Sequence, residues 1–343
     1  MKPRRLLPFV AALALFATGA LAADKVQVGI LNAAGDIGMF VAEARGYFKA
    51  ENLDVTLTPL DSAVKMMPSL STGDLDVGSG VASVALYNAA ARKIDVRVVA
   101  SRGRTAPGYI YQSLIIRKDL VDSGRYKTLA DLKGLKFGFV SPGASLHSIL
   151  NEAAKAGGIK YQDISVVYMN FPSQVAALQS GAIDASIMVE PYAGQAVSLG
   201  GAVNVMPTET FYPSDEASLL LYGDKFIKER PDVAVRLMKA FLRGVRDFND
   251  VLKDGRWRTD GKADDVIRIF SKGVNFPENI VRAMTPQYAD PDGNLNVESL
   301  RKDLAFFKST GEVTSESIKA DDIIDLSFAR KAAQELGPYK PAP

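Results

Sequence analysis

Ser141-Pro142-Gly143-Ala144-Ser145 is the segment of this 343-residue chain best suited to chemistry. A hydroxyl-rich turn with a Gly, feeding a helical pattern, offers unpaired N–H groups and the positive end of a helix dipole, and both attract an anion. Ser79-Gly80-Val81-Ala82-Ser83 makes a similar turn. Its Gly78-x-Gly80-x-x-Ser83 spacing stops one residue short of a dinucleotide fingerprint: the last Gly is missing and the motif follows a third strand, not a first. No G-x-x-x-x-G-K-[ST] phosphate loop occurs. Arg102 and Arg104 flank Gly103, and a guanidinium aimed at a carboxylate or sulfonate would bind it through two parallel bonds. Glu190, before Pro191, could accept from a ligand amine or brace its loop; Tyr192 and Phe171 could supply an apolar wall.

Catalysis is poorly supplied. The chain has no Cys and one His, which excludes thiolate metal sites, iron–sulfur clusters, Cys nucleophiles and any cage built on two His ligands. No metal and no cofactor is expected. His147 would have to serve every acid–base scheme, and no G-x-S-x-G nucleophile elbow is present. It reads as a structural hydrogen bonder or a ligand donor, and the protein as no enzyme.

Residues 1–22 read as an address. Lys2, Arg4 and Arg5 precede an uncharged run from Leu6 to Ala22 that ends Ala20-Leu21-Ala22, the small-x-small pattern of signal cleavage. The chain carries 41 basic and 39 acidic residues; without the three bases of the leader the balance is 38 to 39, a net charge of −1. Such a product has no electrostatic reason to seek nucleic acid. The expectation is a soluble, exported, monomeric protein of the periplasm, with no stable membrane insertion of the mature chain.

Short apolar runs alternate with helical-period segments, the pattern of an α/β protein. Strands are expected at 26–31, 54–60, 76–78 and 96–100, with helices between them, and again at 135–140, 164–169 and 185–189. Leu70-Ser71-Thr72-Gly73-Asp74-Leu75-Asp76 echoes Leu178-Gln179-Ser180-Gly181-Ala182-Ile183-Asp184, and Gly35 falls on Gly143 at the same offset. Two lobes of similar build follow. Ile110–Arg117 and Ala217–Tyr222 are β-type runs suited to carry the chain out and back. The expected division is 23–112 plus 217–343 for lobe I and 113–216 for lobe II. From Pro231 an apolar stripe (Ala234, Met238, Phe241, Val245, Phe248, Leu252) marks a core helix that packs back on lobe I.

In open α/β sheets ligands sit at the carboxyl ends of strands. The candidate binding residues are therefore Asn32, Gly35 and Asp36 after the first strand, Ser79, Val81 and Ala82 after the third, and Arg102 after the fourth. The second lobe adds Ser141, Gly143, Ala144, Ser145, Asn170, Glu190 and Tyr192.

The leader, the Gly-Asp-Ile-Gly-Met-Phe-Val-Ala-Glu-Ala-Arg-Gly-Tyr-Phe run (35–48), the paired L-x-x-G-x-x-D junctions, Ser-Pro-Gly-Ala-Ser, Glu-Pro-Tyr (190–192) and Ala-Asp-Asp-Ile-Ile-Asp-Leu-Ser-Phe-Ala (320–329) together resemble one family. It comprises periplasmic solute-binding proteins for nitrate, alkanesulfonates, taurine and thiamine-pyrimidine precursors, which serve ATP-binding-cassette importers. The resemblance implies a two-lobed type II periplasmic-binding fold with a two-strand hinge and a helical C-terminal region. It also implies a small-molecule solute held by hinge closure, and a permease partner. The loop after the first strand, both Ser-bearing turns and Glu190 would face the solute. The family is similar to a yeast pyrimidine-precursor synthase that consumes its own His and depends on a Cys-rich motif; a chain without Cys departs from that pattern. A sulfonate, carboxylate or nitrate-like solute is the first expectation. A pyrimidine precursor, an aromatic acid or an enzyme using His147 remain alternatives.

Overall fold

Among the described residues, ten strands in two five-stranded sheets organise the protein, beside a separate two-stranded pair, Leu252–Lys253 with Arg256–Trp257. The computed structural model describes residues 22–94 and 96–342; the export segment read over residues 1–22, Ala22 apart, lies outside the described residues. The strands are β1 (Asp24–Ile30), β2 (Leu53–Pro59), β3 (Val77–Gly80), β4 (Arg97–Gly103), β5 (Gln112–Arg117), β6 (Lys136–Phe139), β7 (Ser165–Tyr168), β8 (Ala185–Val189), β9 (Ala202–Pro207) and β10 (Ser218–Tyr222). The first sheet has the order β2-β1-β3-β10-β4 and the second β7-β6-β8-β5-β9.

Each sheet repeats one plan. In the first, β1 runs parallel to β2 and β3, and β10 lies antiparallel between β3 and β4. In the second, β6 runs parallel to β7 and β8, and β5 lies antiparallel between β8 and β9. Helices cover both, giving the two-lobed α/β architecture expected from the sequence.

The two runs read as bridges belong to the sheets themselves, as β5 and β10. Ser-Leu-Leu-Leu-Tyr of β10 is buried throughout, as an apolar run without alternation demands of a strand covered on both faces. The chain crosses between lobes just before these strands, through 104–111 and 208–217. The crossings are held side by side: Thr105 N–H donates to the Asp215 carbonyl at 3.0 Å, and Asp215 N–H to Thr105 Oγ1 at 2.8 Å.

The sequence echo is a structural one. Gly73 and Gly181 end the helices Ala63–Thr72 and Phe171–Ser180 at φ +84° and +77°, the left-handed region that a Gly enters without a Cβ clash. Three residues on, the two Asp carboxylates do the same work. Asp76 Oδ2 accepts from Gln27 N–H of β1 at 2.9 Å, and Asp184 Oδ2 from Lys136 N–H at the start of β6 at 3.0 Å. Each also pairs with an arginine, Arg230 and Arg117 respectively. The pairing of Gly35 with Gly143 does not extend to conformation: Gly143 has φ +66°, whereas Gly35 lies in a 3₁₀ turn and is not in the left-handed region.

The helical face read over 37–48 is split at Gly46 (φ +71°) into the helices Ile37–Ala44 and Tyr47–Ala50. The long helix Pro231–Asp250 packs on the first of these. At their crossing a Cβ on Gly244 would lie 2.1 Å from the Gly38 carbonyl oxygen, so the helix backbones touch. Gly244→Ala is therefore expected to destabilise by about 1–3 kcal/mol, the range of overpacked cores, despite its better helix propensity; urea unfolding measures it, and a stabilised variant would refute the close approach. Among the described residues no helix is long and apolar enough to cross a membrane.

Candidate functional site

The carboxyl ends of the strands face one another across the gap between the sheets, and the loops that follow them enclose a pocket. Leu31 and Ala33 enter from the loop after β1, Ser62 and Ala63 from the start of the helix after β2, and Val81 from beyond β3. The opposite wall is Val140, Ser141, Ala144, Ser145 and Leu146 after β6, with Phe171 and Val189. Tyr111, Gln112 and Ala217, at the ends of the crossings, close the remaining side. In this closed arrangement the cavity measures about 60 Å³.

The pocket is small because the lobes touch. Val84 N–H donates to the Gly143 carbonyl at 2.8 Å, and Ala34 N–H to the Glu190 carbonyl at 2.9 Å. A second contact lies on the helix Val297–Ser309: Lys302 Nζ is 2.7 Å from Glu152 Oε2, Phe306 meets Tyr161 edge-on at 5.4 Å, and Tyr212 Oη donates to Asp303 Oδ1 at 2.8 Å.

Chemically the pocket is an apolar box with neutral donors. Its one charged lining residue, Asp61, is exposed and paired with Lys65 at 2.6 Å. Ser62 caps the helix Ala63–Thr72 by accepting from Lys65 N–H at 3.3 Å, which leaves its hydroxyl proton to donate elsewhere. In the structure Ala144 is the capping residue, and Ser145 is the first residue of the helix Ser145–Ala156, buried on the pocket wall with its hydroxyl not engaged in capping. The first N–H groups of both helices have no helical carbonyl behind them. The arrangement can therefore hold an anionic or strongly polar group by hydroxyl and peptide donors while the apolar walls hold its body.

Of the residues singled out from sequence, Val81, Ser141, Ala144, Ser145 and Phe171 line the pocket. Asn32 lies between two lining residues at φ +52°, and its Oδ1 is buried without a hydrogen-bond partner among the described residues. Asp36, Ser79 and Arg102 lie behind the wall. Arg102, expected just beyond the fourth strand, lies on β4, 2% exposed, with Nη2 2.5 Å from Asp36 Oδ1. Asp36 also accepts from Ser79 Oγ at 2.6 Å, Leu31 N–H at 3.0 Å and Ala33 N–H at 3.2 Å, so the pair fixes the loop after β1 from behind the pocket wall. Gly35 packs on it: a Cβ there would lie 2.4 Å from Ser218 Oγ. Ala82 is fully buried. Gly143 supplies a closing contact, and Asn170 caps the helix Phe171–Ser180 through Ser173 N–H at 3.0 Å. Tyr192 stacks on Phe171 at 5.1 Å and 20°. Glu190 turns its side chain to a separate cavity. Arg104 lies over the Tyr288 ring at 4.6 Å beside the crossings.

His147 does not line the pocket. Its Nε2 lies 3.2 Å from the Ser141 carbonyl, which needs a donor, so Nδ1 accepts from Tyr161 Oη at 2.5 Å and the ring is neutral. Burial lowers its pKa, against the Ser141 bond. It braces the 141–145 turn from behind.

Ser62, Tyr111, Gln112 and Ala217 are among the lining residues that the sequence did not single out. Ser62 follows β2 and obeys the same strand-end rule as the residues that were found. The other three flank the crossings, whose residue types carry no signal of a wall.

Residues 34–250 match the model of the family described as NMT1/THI5 like. The chain belongs to that family. A protein of Escherichia coli (strain K12) with the provisional name aliphatic sulfonates-binding protein is 27% identical over 249 residues, 72% of this chain and 71% of that one. Among solved structures, the periplasmic aliphatic sulphonate binding protein SsuA from Escherichia coli superposes with a TM-score of 0.68 at 20% identity, covering 89% of this chain and 99% of its own. The periplasmic nitrate-binding protein NrtA from Synechocystis PCC 6803 gives 0.74 at 13% identity, covering 93% and 92%. At these identities the two structures establish the fold, which is that of periplasmic binding proteins.

Proposed function

We propose that this chain is the exported solute-binding component of an ATP-binding-cassette importer, capturing a small sulfonate or carboxylate between its lobes and handing it unaltered to the permease. The observation that carries this reading is the pocket itself: hydroxyls and two helix starts facing apolar walls, with the one His turned away. The named relatives are binding proteins, which supports transport over turnover. Residues 23–112 with 217–343 form one jaw and 113–216 the other. The leader is cleaved after Ala22, and the mature monomer works in the periplasm. Each jaw holds part of the donor set, so a solute favours the closed form by what it gains only there. A micromolar dissociation constant needs about 8 kcal/mol, within reach of a few charge-assisted bonds plus apolar contact.

Calorimetry against methane-, butane- and benzenesulfonate, the matching carboxylates and nitrate tests this. At least one organic anion binds and is recovered chemically unchanged, and Ser145→Ala weakens it about tenfold or more, since a hydrogen bond to a charged group contributes roughly 1.5–3 kcal/mol. If none of these anions binds, the reading falls. The Phe171–Tyr192 stack supports an aromatic acid as the second ligand class, and a preference for benzenesulfonate over butanesulfonate would select it.

A further inference from the structure

Behind the closing contact at Glu190 lies a second cavity of about 400 Å³. Its walls come from both sides of the cleft: the helix Tyr192–Ser198 and Asn204 of β9 on one, the helix Glu278–Ala283 and Thr285 on the other, with Ile110 of the crossing between them. No other Asp and no other Glu, Lys, Arg or His lines it among the described residues; Glu190 is its sole charged group and is 7% exposed.

We propose that this cavity is a binding site for a small organic cation, an alkylammonium group held against the Glu190 carboxylate. The carboxylate is under-used where it stands. Gly194 N–H donates to Oε2 at 3.0 Å and is its one protein donor, against about four acceptor positions on an ionised carboxylate. A brace for a seven-residue helix needs one acceptor, which a neutral side chain supplies without the penalty of burying charge. Burial raises the Glu190 pKa to about 7, opposed only by the Gly194 bond, and no basic side chain shares the load. An ammonium supplies the missing donors. Ile280 and Val197 offer apolar surface for its alkyl part, and Asn279, Asn204 and Thr285 neutral polar atoms for its remaining N–H groups.

The site is coupled to the cleft. The Glu190 backbone carbonyl accepts the Ala34 N–H that helps to close the lobes, and the cavity exists only while the helices Tyr192–Ser198 and Glu278–Ala283 stand together. A cation bound there favours the closed form, so it and the cleft solute bind with positive cooperativity.

The test uses the mature chain with n-butylammonium chloride as probe, and n-butanol and sodium chloride as controls, in thermal unfolding and amide-resolved NMR titration. At pH 8 butylammonium raises Tm in a saturable way, the controls do not, and the Gly194 and Asn279 amides shift. Glu190→Gln, which keeps the Gly194 bond, weakens binding at least tenfold. At pH 5.5 the wild-type protein loses the effect as the carboxyl takes up its proton. Ala283→Leu, an exposed position on the rim, weakens binding with the Gly194 amide position unchanged. Equal binding by Glu190→Gln, equal stabilisation by butanol, or shifts centred on Ser145 and Phe171 would each overturn the proposal. The last result would put the amine in the cleft. Anion binding there is scored separately, so either reading can fail without the other.

Discussion

Arg102→Met is expected to lower the unfolding free energy by about 3–5 kcal/mol, because it leaves the Asp36 carboxylate buried without its countercharge. Neither side chain of the pair has measurable contact with water. The attraction between the two offsets a desolvation cost of several kcal/mol per ion, and removing one partner keeps the cost of the other. Asp36 retains Ser79 Oγ and the two loop N–H groups, so the loss is not total, but those groups were arranged around a carboxylate that the guanidinium neutralised. Asp36→Asn is milder in shape and comparable in cost, since Arg102 then stands unpaired. The double variant Asp36→Asn with Arg102→Met should recover much of the loss, because the amide oxygen still accepts from the loop N–H groups, giving a coupling energy of the same sign and order. Urea denaturation of the four proteins measures the cycle. A loss below about 1 kcal/mol for Arg102→Met would mean that water reaches the pair. Anion binding should weaken in the single variants as well, because the loop held by Asp36 carries Leu31 and Ala33 of the pocket wall.

This pair also marks the limit of what residue type reveals. An Arg at the carboxyl end of a strand near two Ser-rich turns has the composition of an anion site, and nothing local to Arg102 says that Asp36, sixty-six positions away, already holds it. Charge pairing across a sheet is decided by tertiary structure. The fold was more legible, because each lobe is specified by short-range signals that recur: an apolar run, a helical stripe, a Gly able to take positive φ, an Asp that ties two parallel strands. Those signals placed Gly73 with Gly181 and Asp76 with Asp184 correctly. The bridges were misplaced because an apolar β-run looks the same at a sheet centre as between sheets; only the pairing of β5 with β8 and β9, and of β10 with β3 and β4, decides it. Ser145 was legible as the end of a hydroxyl-bearing turn that feeds a helix, and the structure places it there, on the pocket wall.

Stability should fall as pH rises from about 6 to 8, which is the reverse of a protein held by surface carboxylates. Four buried acids face the same way. Glu216 is pushed up to about 8 and Glu190 to about 7, both first of all by burial. Asp215 and Asp303, coupled and fully buried where the crossing meets the helix Val297–Ser309, are both raised, again chiefly by burial and, for Asp215, next by the Asp303 charge. In the unfolded chain these groups lose their protons near the ordinary carboxylate range of about 4–4.5. Between that range and their native values the folded state therefore holds more protons than the unfolded one, and raising the pH favours unfolding. Each group shifted by two to three pH units contributes on the order of 3 kcal/mol, all of it present below the unfolded pKa and lost by the time the pH passes the native one. His147 acts in the other direction on the acid side: its lowered pKa makes the fold lose stability as the ring of the unfolded chain gains a proton below about 6.5. The maximum should lie between these two effects, near pH 5.5–6. Guanidinium unfolding from pH 5 to 9 traces the curve. Glu216→Gln tests its cause, because an amide can keep the Ser101 and Asn296 partners at 2.5 and 2.6 Å while having no proton to lose. That variant should match the wild type at pH 5.5, exceed it at pH 8.5, and flatten the slope between; a slope that survives the substitution unchanged would assign the pH dependence to other groups.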